Sequence, residues 1–102
     1  MGLFSGMTLN TLDDLLVAQI EDLYDAETRL TDALPKMAEC ARNSQLKSAI
    51  QNHLRETEEH VRRLENVFHA LGIESKRHTC QAMKGLIAEG SEVLDSTGDP
   101  DV

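Results

Sequence analysis

Apolar residues recur every three or four positions along the first third of the chain, which is the spacing of one face of an α-helix. The series begins after Thr11, which together with Asp14 can cap the start of a helix. Pro35 lacks a backbone N–H, so we expect it to kink or end this helix, and we expect the chain to turn near Asn43. The apolar positions of this first helix are Leu12, Leu16, Ile20, Leu23, Leu30 and Leu34.

A second periodic stretch follows the turn and is the best defined in the chain. Ser44 is a suitable N-cap, and Gly72 can adopt the left-handed conformation that often ends a helix. The pattern therefore predicts a second long helix between these two residues. Its apolar positions are Leu46, Ile50, Leu54, Val61, Leu64, Val67, Phe68 and Leu71.

A third, shorter helix is predicted after the polar and basic linker 73–78. Thr79 is its expected cap, and Gly85 and Gly90 weaken it because glycine lowers helix stability. Segment 95–102 is acidic and rich in turn residues, so we expect a frayed tail. The apolar positions of the third helix are Met83, Leu86, Ile87, Val93 and Leu94.

Helices joined by short loops pack antiparallel, so the predicted fold is an all-α bundle of two long helices and one shorter helix. The 102 residues are expected to form one domain, with 1–10 as a lead-in. Such a bundle leaves one apolar side uncovered, and covering it requires a fourth helix or a second copy of the chain. We therefore expect a homodimer or a larger homo-oligomer.

Composition and charge narrow the class of protein. Aromatic residues make up 3% of the chain, which favours an aliphatic helical core over a sheet. The net charge of −8 disfavours nucleic acid as a partner. No apolar run is long enough for a membrane span or a secretory leader, so we expect a cytoplasmic protein without a membrane partner. Cys40 and Cys80 have neither zinc-site nor redox spacing and are expected to be reduced, buried thiols.

The apolar series of the first helix is interrupted by a carboxylate. Glu27 lies four residues after Leu23 and three before Leu30, where an apolar side chain is expected. An unpaired carboxylate in a core is costly, so it either shifts its pKa or binds a cation. The alternative is an acid at the edge of the apolar stripe that is paired or extends to solvent.

The inward series predicted for the second helix, Leu46, Ile50, His53, Thr57, His60, Leu64, Val67 and Leu71, is polar in its middle third. Glu56 and the two histidines lie within roughly 60° of one another around the helix axis. Each histidine taken singly is more commonly a packing residue. Two histidines with a carboxylate between them favour a metal site.

The polar interruptions of the two long helices coincide in height. With the turn near Asn43, Glu27 lies opposite about position 58 or 59, the level of Glu56 and His60. Glu89, on the third helix, lies at a similar height. Carboxylate oxygens with imidazole nitrogens suit iron first, with manganese or zinc as alternatives. The sequence therefore predicts one metal site shared between helices.

The chain resembles the YciE/YciF family of bacterial ferritin-like stress proteins. The resemblance rests on several motifs that stand in the same order along nearly the whole chain. The resemblance implies a ferritin-like four-helix bundle, a di-iron centre and a part in stress responses. The motifs are Leu23-Tyr24-Asp25-Ala26-Glu27, Ala33-Leu34-Pro35-Lys36-Met37, His53-Leu54-Arg55-Glu56-Thr57, Arg63-Leu64-Glu65 and Gly85-Leu86-Ile87-Ala88-Glu89.

The resemblance also implies a set of metal ligands. Ferritin-type sites read Glu-x-x-His on the second helix, whereas this chain reads His53-x-x-Glu56, so the binding histidine stays open. The family continues with a fourth helix that carries further Glu and His residues, so we expect this chain to be either a truncated member or one whose bundle is completed by a second copy. The implied ligands are Glu27, His53, Glu56 and Glu89, with Glu59 and His60 as secondary candidates.

Two functions from different classes follow. The first is a metal-binding ferritin-like stress protein, in which Glu56 bridges the metals, Glu27 and Glu89 are terminal ligands and His53 supplies nitrogen. Tyr24 would support this site, and the resemblance implies oxidation of ferrous iron if a second chain completes it. The alternative is a structural or interaction module without a functional metal site, whose polar core residues pair with one another and fix the register of a partner.

Overall fold

The computed structural model describes residues 10–96, 98 and 101–102. Helix α1 spans Leu12–Cys40, α2 spans Ser44–Ala70 and α3 spans Gln81–Leu94. No strand occurs in the described part of the chain. The predicted all-α class, with two long helices and a shorter third, is therefore confirmed. Most of the predicted lead-in, 1–9, lies outside the described residues.

Helix α1 is the central element, since it packs against both α2 and α3, whereas α2 and α3 do not contact each other within the described residues. The α1–α2 hairpin is antiparallel. The loop after α2 returns along α1, where the backbone N–H of His78 donates to the Glu21 carbonyl at 3.1 Å. Helix α3 then runs beside the second half of α1 in an up-down-up order.

The tail approaches the first turn of the bundle. The Val102 carbonyl accepts a hydrogen bond from the backbone N–H of Arg42 at 2.9 Å. Positions 97, 99 and 100 lie outside the described residues, so fraying of segment 95–102 stays a prediction.

The ends of the α1–α2 hairpin follow from local capping. Thr11 accepts a hydrogen bond from the backbone N–H of Asp14 at 3.1 Å, as predicted. Gly72 has φ of 69°, which is the left-handed conformation expected after α2. The N-cap of α2, however, is Asn43, whose side chain accepts from the backbone N–H of Leu46 at 2.9 Å. The prediction of Ser44 as the cap was wrong by one residue.

Of the two outcomes predicted for Pro35, an end of the helix does not occur, since α1 continues through the proline to Cys40 and Leu34 and Ala38 keep this part of it packed in the core. Two further local predictions need correction. The N-cap of α3 is Cys80 instead of Thr79, and its side chain makes no capping hydrogen bond. Cys40 is exposed, so the prediction of two buried thiols holds only for Cys80.

The face that α2 turns towards α1 agrees only in part with the predicted one, since Ile50, Thr57 and Leu64 of the predicted inward series are buried or half-buried. Thr57 and Phe68 are fully buried. Ile50, Leu54, Val61 and Leu64 are half-buried and continue the same steps of three and four. The predicted inward residues His53, His60, Val67 and Leu71 are exposed. Helix α2 is thus rotated by roughly 50° from the predicted orientation, which buries the larger apolar side chains.

An aromatic contact anchors this orientation of α2. The ring of Phe68 meets the ring of Tyr24 edge to face, with centroids 5.3 Å apart. This geometry is a favourable one for two aromatic rings.

None of the described helices is long and apolar enough to cross a membrane.

We expect the neighbouring residues Phe68 and Val67 to differ sharply when shortened. Phe68→Ala should lower the free energy of unfolding by about 3–5 kcal/mol, because it leaves a cavity at the α1–α2 interface. Val67→Ala should change it by less than about 1 kcal/mol, because Val67 is 39% exposed. Urea denaturation followed by circular dichroism measures both, with Phe68→Leu as a milder variant. Equal losses at the two positions would contradict the orientation of α2.

Candidate functional site

The structure brings together one acid and one histidine from the two long helices. Glu27 Oε1 lies 3.5 Å from His60 Nδ1. The Glu27 side chain is 18% exposed and that of His60 is 46% exposed, so the pair sits at the edge of the α1–α2 interface. The predicted proximity of these two residues is what the structure shows. Their role as metal ligands stays a prediction.

The other predicted ligands do not join this pair. His53 and Glu56 are exposed on α2, and Glu89 is exposed on α3. Glu59 is half-buried and forms ion pairs with Arg62 and, at 3.5 Å, with Arg63. The hydrogen bond from Arg62 is the main cause that lowers the pKa of Glu59.

A complete metal-binding cluster is absent from the part of the chain that the structure describes. No three or more His, Cys, Asp or Glu side chains within it are placed to hold one ion. The rotation of α2 contributes, because it turns His53 and His60 to the flank of the hairpin instead of its centre. The described residues form a pair of one carboxylate and one imidazole, and a metal centre would require further ligands.

The flank that carries His60 is an uncovered face of the hairpin. On α1 it includes Leu16 and Leu23, both 48% exposed. On α2 it includes Val67 and Leu71, which are 39% and 46% exposed. Large apolar side chains at this spacing are typical of a helical bundle core. The Glu27–His60 pair therefore interrupts an apolar surface.

A groove lies between α1 and α3, and His53 of α2 borders it. Its volume is about 470 Å³. Its lining is mainly apolar and includes Leu30, Leu34, Met37, Met83 and Ile87. The uncovered apolar surface thus extends from the α1–α2 hairpin onto α3.

Tyr24, which was expected to support Glu27, has a different hydrogen-bond acceptor. Its hydroxyl donates to Glu65 Oε2 at 3.0 Å. Burial and the hydrogen bond to the Glu65 carboxylate raise the pKa of Tyr24, so it stays a neutral donor at physiological pH. Tyr24 therefore links α1 to α2, one turn from Glu27.

The position of α3 depends on Asp25, a residue that the sequence reasoning did not single out. Asp25 is 2% exposed. Its Oδ2 accepts hydrogen bonds from the backbone N–H of Cys80 and from Arg29 Nε, each at 2.7 Å. Its Oδ1 accepts from Arg77 Nε at 2.8 Å. Asp25 thus caps the start of α3 from α1 and replaces the side-chain cap that Cys80 lacks.

The Asp25 carboxylate is ionised because its partners outweigh its burial. Burial alone raises its pKa, whereas the hydrogen bonds from Cys80, Arg29 and Arg77 lower it, and the net shift is downward from 3.8. Asp25 and Arg29 are four residues apart, the spacing of a helical ion pair. That spacing was the only indication in the nearby sequence that Asp25 has a partner, since its other partners, Arg77 and Cys80, lie in a distant segment.

The geometry defines an all-α chain with an acid–imidazole pair on an uncovered helical face. A family model described as DUF892, a domain of unknown function, matches residues 11–102. The chain therefore belongs to the DUF892 family.

The same comparisons found relatives with related folds. The chain is 38% identical over 92 residues to the Escherichia coli (strain K12) protein YciF, covering 89% of this chain and 55% of YciF. The crystal structure of that E. coli stress protein matches with a TM-score of 0.82 at 37% identity, covering 89% of this chain and 58% of the other. The suspected family resemblance is confirmed.

A second solved structure is equally similar. YcfI from Rhodopseudomonas palustris, described as a proposed structural protein, matches with a TM-score of 0.86 at 38% identity. The match covers 94% of this chain and 61% of YcfI. The chain thus spans little more than half the length of these relatives.

We expect Asp25→Ala to lower the free energy of unfolding by about 3 kcal/mol, because two arginines and the Cys80 N–H lose their shared acceptor. Urea denaturation monitored by circular dichroism measures the loss. Asp32→Ala, at an exposed position of the same helix, is the matched control and should have little effect. A loss no larger than that of the control would show that Asp25 does not hold α3.

The stabilisation from Asp25 should also depend on pH. Since the folded-state pKa lies below the ordinary 3.8, the contribution is complete above that value and disappears as the pH falls through the folded-state pKa. The difference in unfolding free energy between the parent and Asp25→Asn should be constant from about pH 7 to about pH 5 and shrink in stronger acid. A difference that grows on acidification would contradict this linkage.

Proposed function

We propose that this chain is a ferritin-like, metal-binding stress protein whose site is built around Glu27 and His60. The observation that carries the proposal is the contact between these side chains, 3.5 Å apart on a face that also exposes Leu16, Leu23, Val67 and Leu71. A carboxylate and an imidazole on adjacent helices are the pairing used by ferritin-like metal centres. In a completed bundle this pair would be desolvated, and a bound cation would compensate the buried carboxylate.

Iron is the metal that this donor set favours, with manganese and zinc as alternatives. His53 and Glu56 lie within two turns of His60 on α2, and Glu89 is exposed on α3. These residues would join the site when the uncovered face is closed. The closing element is a fourth helix or a second copy of the chain. Glu59 is a weaker candidate because Arg62 and Arg63 already neutralise it.

The proposed physiological setting follows from the relatives. The similar E. coli protein is described as a stress protein. Bound iron would supply redox chemistry, in which ferrous iron is oxidised by oxygen or peroxide. Within the chain, Glu27 and His60 would hold the ion and Tyr24, fixed by Glu65, would keep α1 and α2 in register beside it.

A structural or interaction module is the second candidate, and two observations favour it. The described residues hold no cluster of three potential ligands. The similar R. palustris protein is described as a proposed structural protein. In this case the Glu27–His60 pair would serve only to fix the register of a partner helix.

Metal binding by the purified chain separates the two candidates. We expect the parent to bind Fe²⁺ or Co²⁺ at neutral pH, and Glu27→Ala or His60→Ala to bind at least roughly tenfold more weakly, since a ligand contributes at least as much as its supporting residues. Metal titration followed by absorbance, with elemental analysis of the eluted protein, measures this.

Glu58→Ala is the matched control, since it removes an exposed carboxylate from the same helix away from the pair. It should leave binding unchanged. A parent chain that retains no metal would exclude the metal-binding function and favour the structural module.

A further inference from the structure

The groove between α1 and α3 owes part of its room to a glycine. Gly90 lines the groove, and a Cβ atom added at this position would meet nothing within 4 Å. Gly85 is equally unobstructed, but it lies roughly 140° away around the axis of α3 and does not line the groove. The volume of about 470 Å³ is in the range of small-molecule sites.

The walls of the groove are apolar on both helices. Leu30, Leu34 and Met37 line it from α1, and Ile87 and Leu94 line it from α3. Such side chains stabilise an aliphatic group by removing it from water and offer it no strong hydrogen-bonding group. The body of a ligand in this groove is therefore aliphatic.

One end of the groove carries two cationic side chains at the same height. The hydrogen bond between Asp25 and the backbone N–H of Cys80 fixes the register of α3 on α1. Arg29 and Lys84 each lie four residues beyond this contact, on helices that run in the same direction, so the two residues are level with each other. Both line the groove.

This end has excess positive charge. Asp25 accepts hydrogen bonds from both Arg29 and Arg77, so one carboxylate balances only one of two guanidinium groups. Lys84 is exposed and forms no ion pair within the described part of the chain. An anionic group is therefore favoured at this end.

The charge of the groove is opposite in sign to that of the chain as a whole. Of the four charged residues that line it three are cationic, although the chain has a net charge of −8. The acid among them is followed four positions later by a lysine that also lines the groove. The four residues are Arg29, Asp32, Lys36 and Lys84.

We propose that the groove binds a free fatty acid, with its carboxylate at the Arg29–Lys84 end and its aliphatic chain directed towards Gly90. Over the rise of about 12 Å from Arg29 to Met37, the volume of about 470 Å³ corresponds to a cross-section of about 40 Å². A helix with its side chains is about 10 Å wide and needs roughly twice that area, whereas an extended alkyl chain is much thinner. The site is independent of the proposed metal-binding function, since neither Glu27 nor His60 lines the groove.

Isothermal titration calorimetry with sodium dodecanoate, kept below the concentration at which it forms micelles, tests the cationic end. We expect one dodecanoate per chain with a micromolar dissociation constant. Binding to Lys84→Gln should be about fivefold weaker, since one exposed charge pair contributes modestly. Lys76→Gln removes an exposed lysine of the linker that does not line the groove, and it should bind as the parent does.

The two glycines of α3 provide a matched pair of variants for the apolar part of the site. Gly90→Leu should weaken binding at least roughly tenfold, because the leucine side chain occupies the space of the ligand. Gly85→Leu should bind as the parent does. Both changes replace a helical glycine by a better helix former, so both variants should fold, which circular dichroism checks.

Dodecyltrimethylammonium has the same alkyl chain with the opposite charge. Nonspecific adsorption to a chain of net charge −8 favours this cation, whereas the proposed site favours dodecanoate. Cation binding that equals or exceeds that of dodecanoate overturns the proposal, as does unchanged dodecanoate binding in Gly90→Leu. Failure of the parent to bind dodecanoate also overturns it and indicates that a protein segment covers the groove.

Discussion

The placement of helix α3 against α1 depends on the carboxylate of Asp25. Helix α3 contacts α1 and not α2 within the described residues, and its first turn lacks a side-chain cap of its own. Asp25 supplies that cap across the helix interface and pairs with Arg29 and Arg77. Burying the carboxylate costs free energy, and the three hydrogen bonds offset that cost. The same bonds fix the height of α3, and therefore of Glu89, relative to α1.

A second consequence of this arrangement is the uncovered face. With α1 as the central element, α2 and α3 lie on different flanks, and an apolar surface stays open between them. Chains rarely leave so many large apolar side chains exposed unless the surface binds something. The Glu27–His60 pair lies within this surface, so whatever covers it also decides whether the carboxylate is neutralised by a cation, by the imidazole or by a partner.

The metal-binding and structural functions differ in what they require of the element that packs on the uncovered face. A metal centre requires the cover to bring additional oxygen or nitrogen ligands to the height of Glu27, whereas a structural module requires only apolar contact and a compatible polar layer. Membership of the DUF892 family is compatible with both, since the similar proteins are described as a stress protein and as a proposed structural protein. The chain spans little more than half of the length of those relatives.

Local patterns in the sequence determined the number of helices, the left-handed Gly72 and the common height of Glu27 and His60. Each of these depends on short-range capping or on the fixed rise of an α-helix from a known turn. The rotation of α2 was not determined in this way. Two stripes, one through His53, His60 and Val67 and the other through Leu54, Val61 and Phe68, share the same period, and only packing against α1 selects the second.

The role of Asp25 was likewise decided by the tertiary structure. Its partners Arg77 and Cys80 are 52 and 55 residues away in the sequence. A local pattern shows an acid four residues before an arginine, which is common on a solvated helix surface. In the folded chain the Asp25 carboxylate is buried and also accepts hydrogen bonds from the guanidinium of Arg77 and the backbone N–H of Cys80. These additional bonds fix α3 against α1, and they form only when the linker before α3 packs beside Asp25.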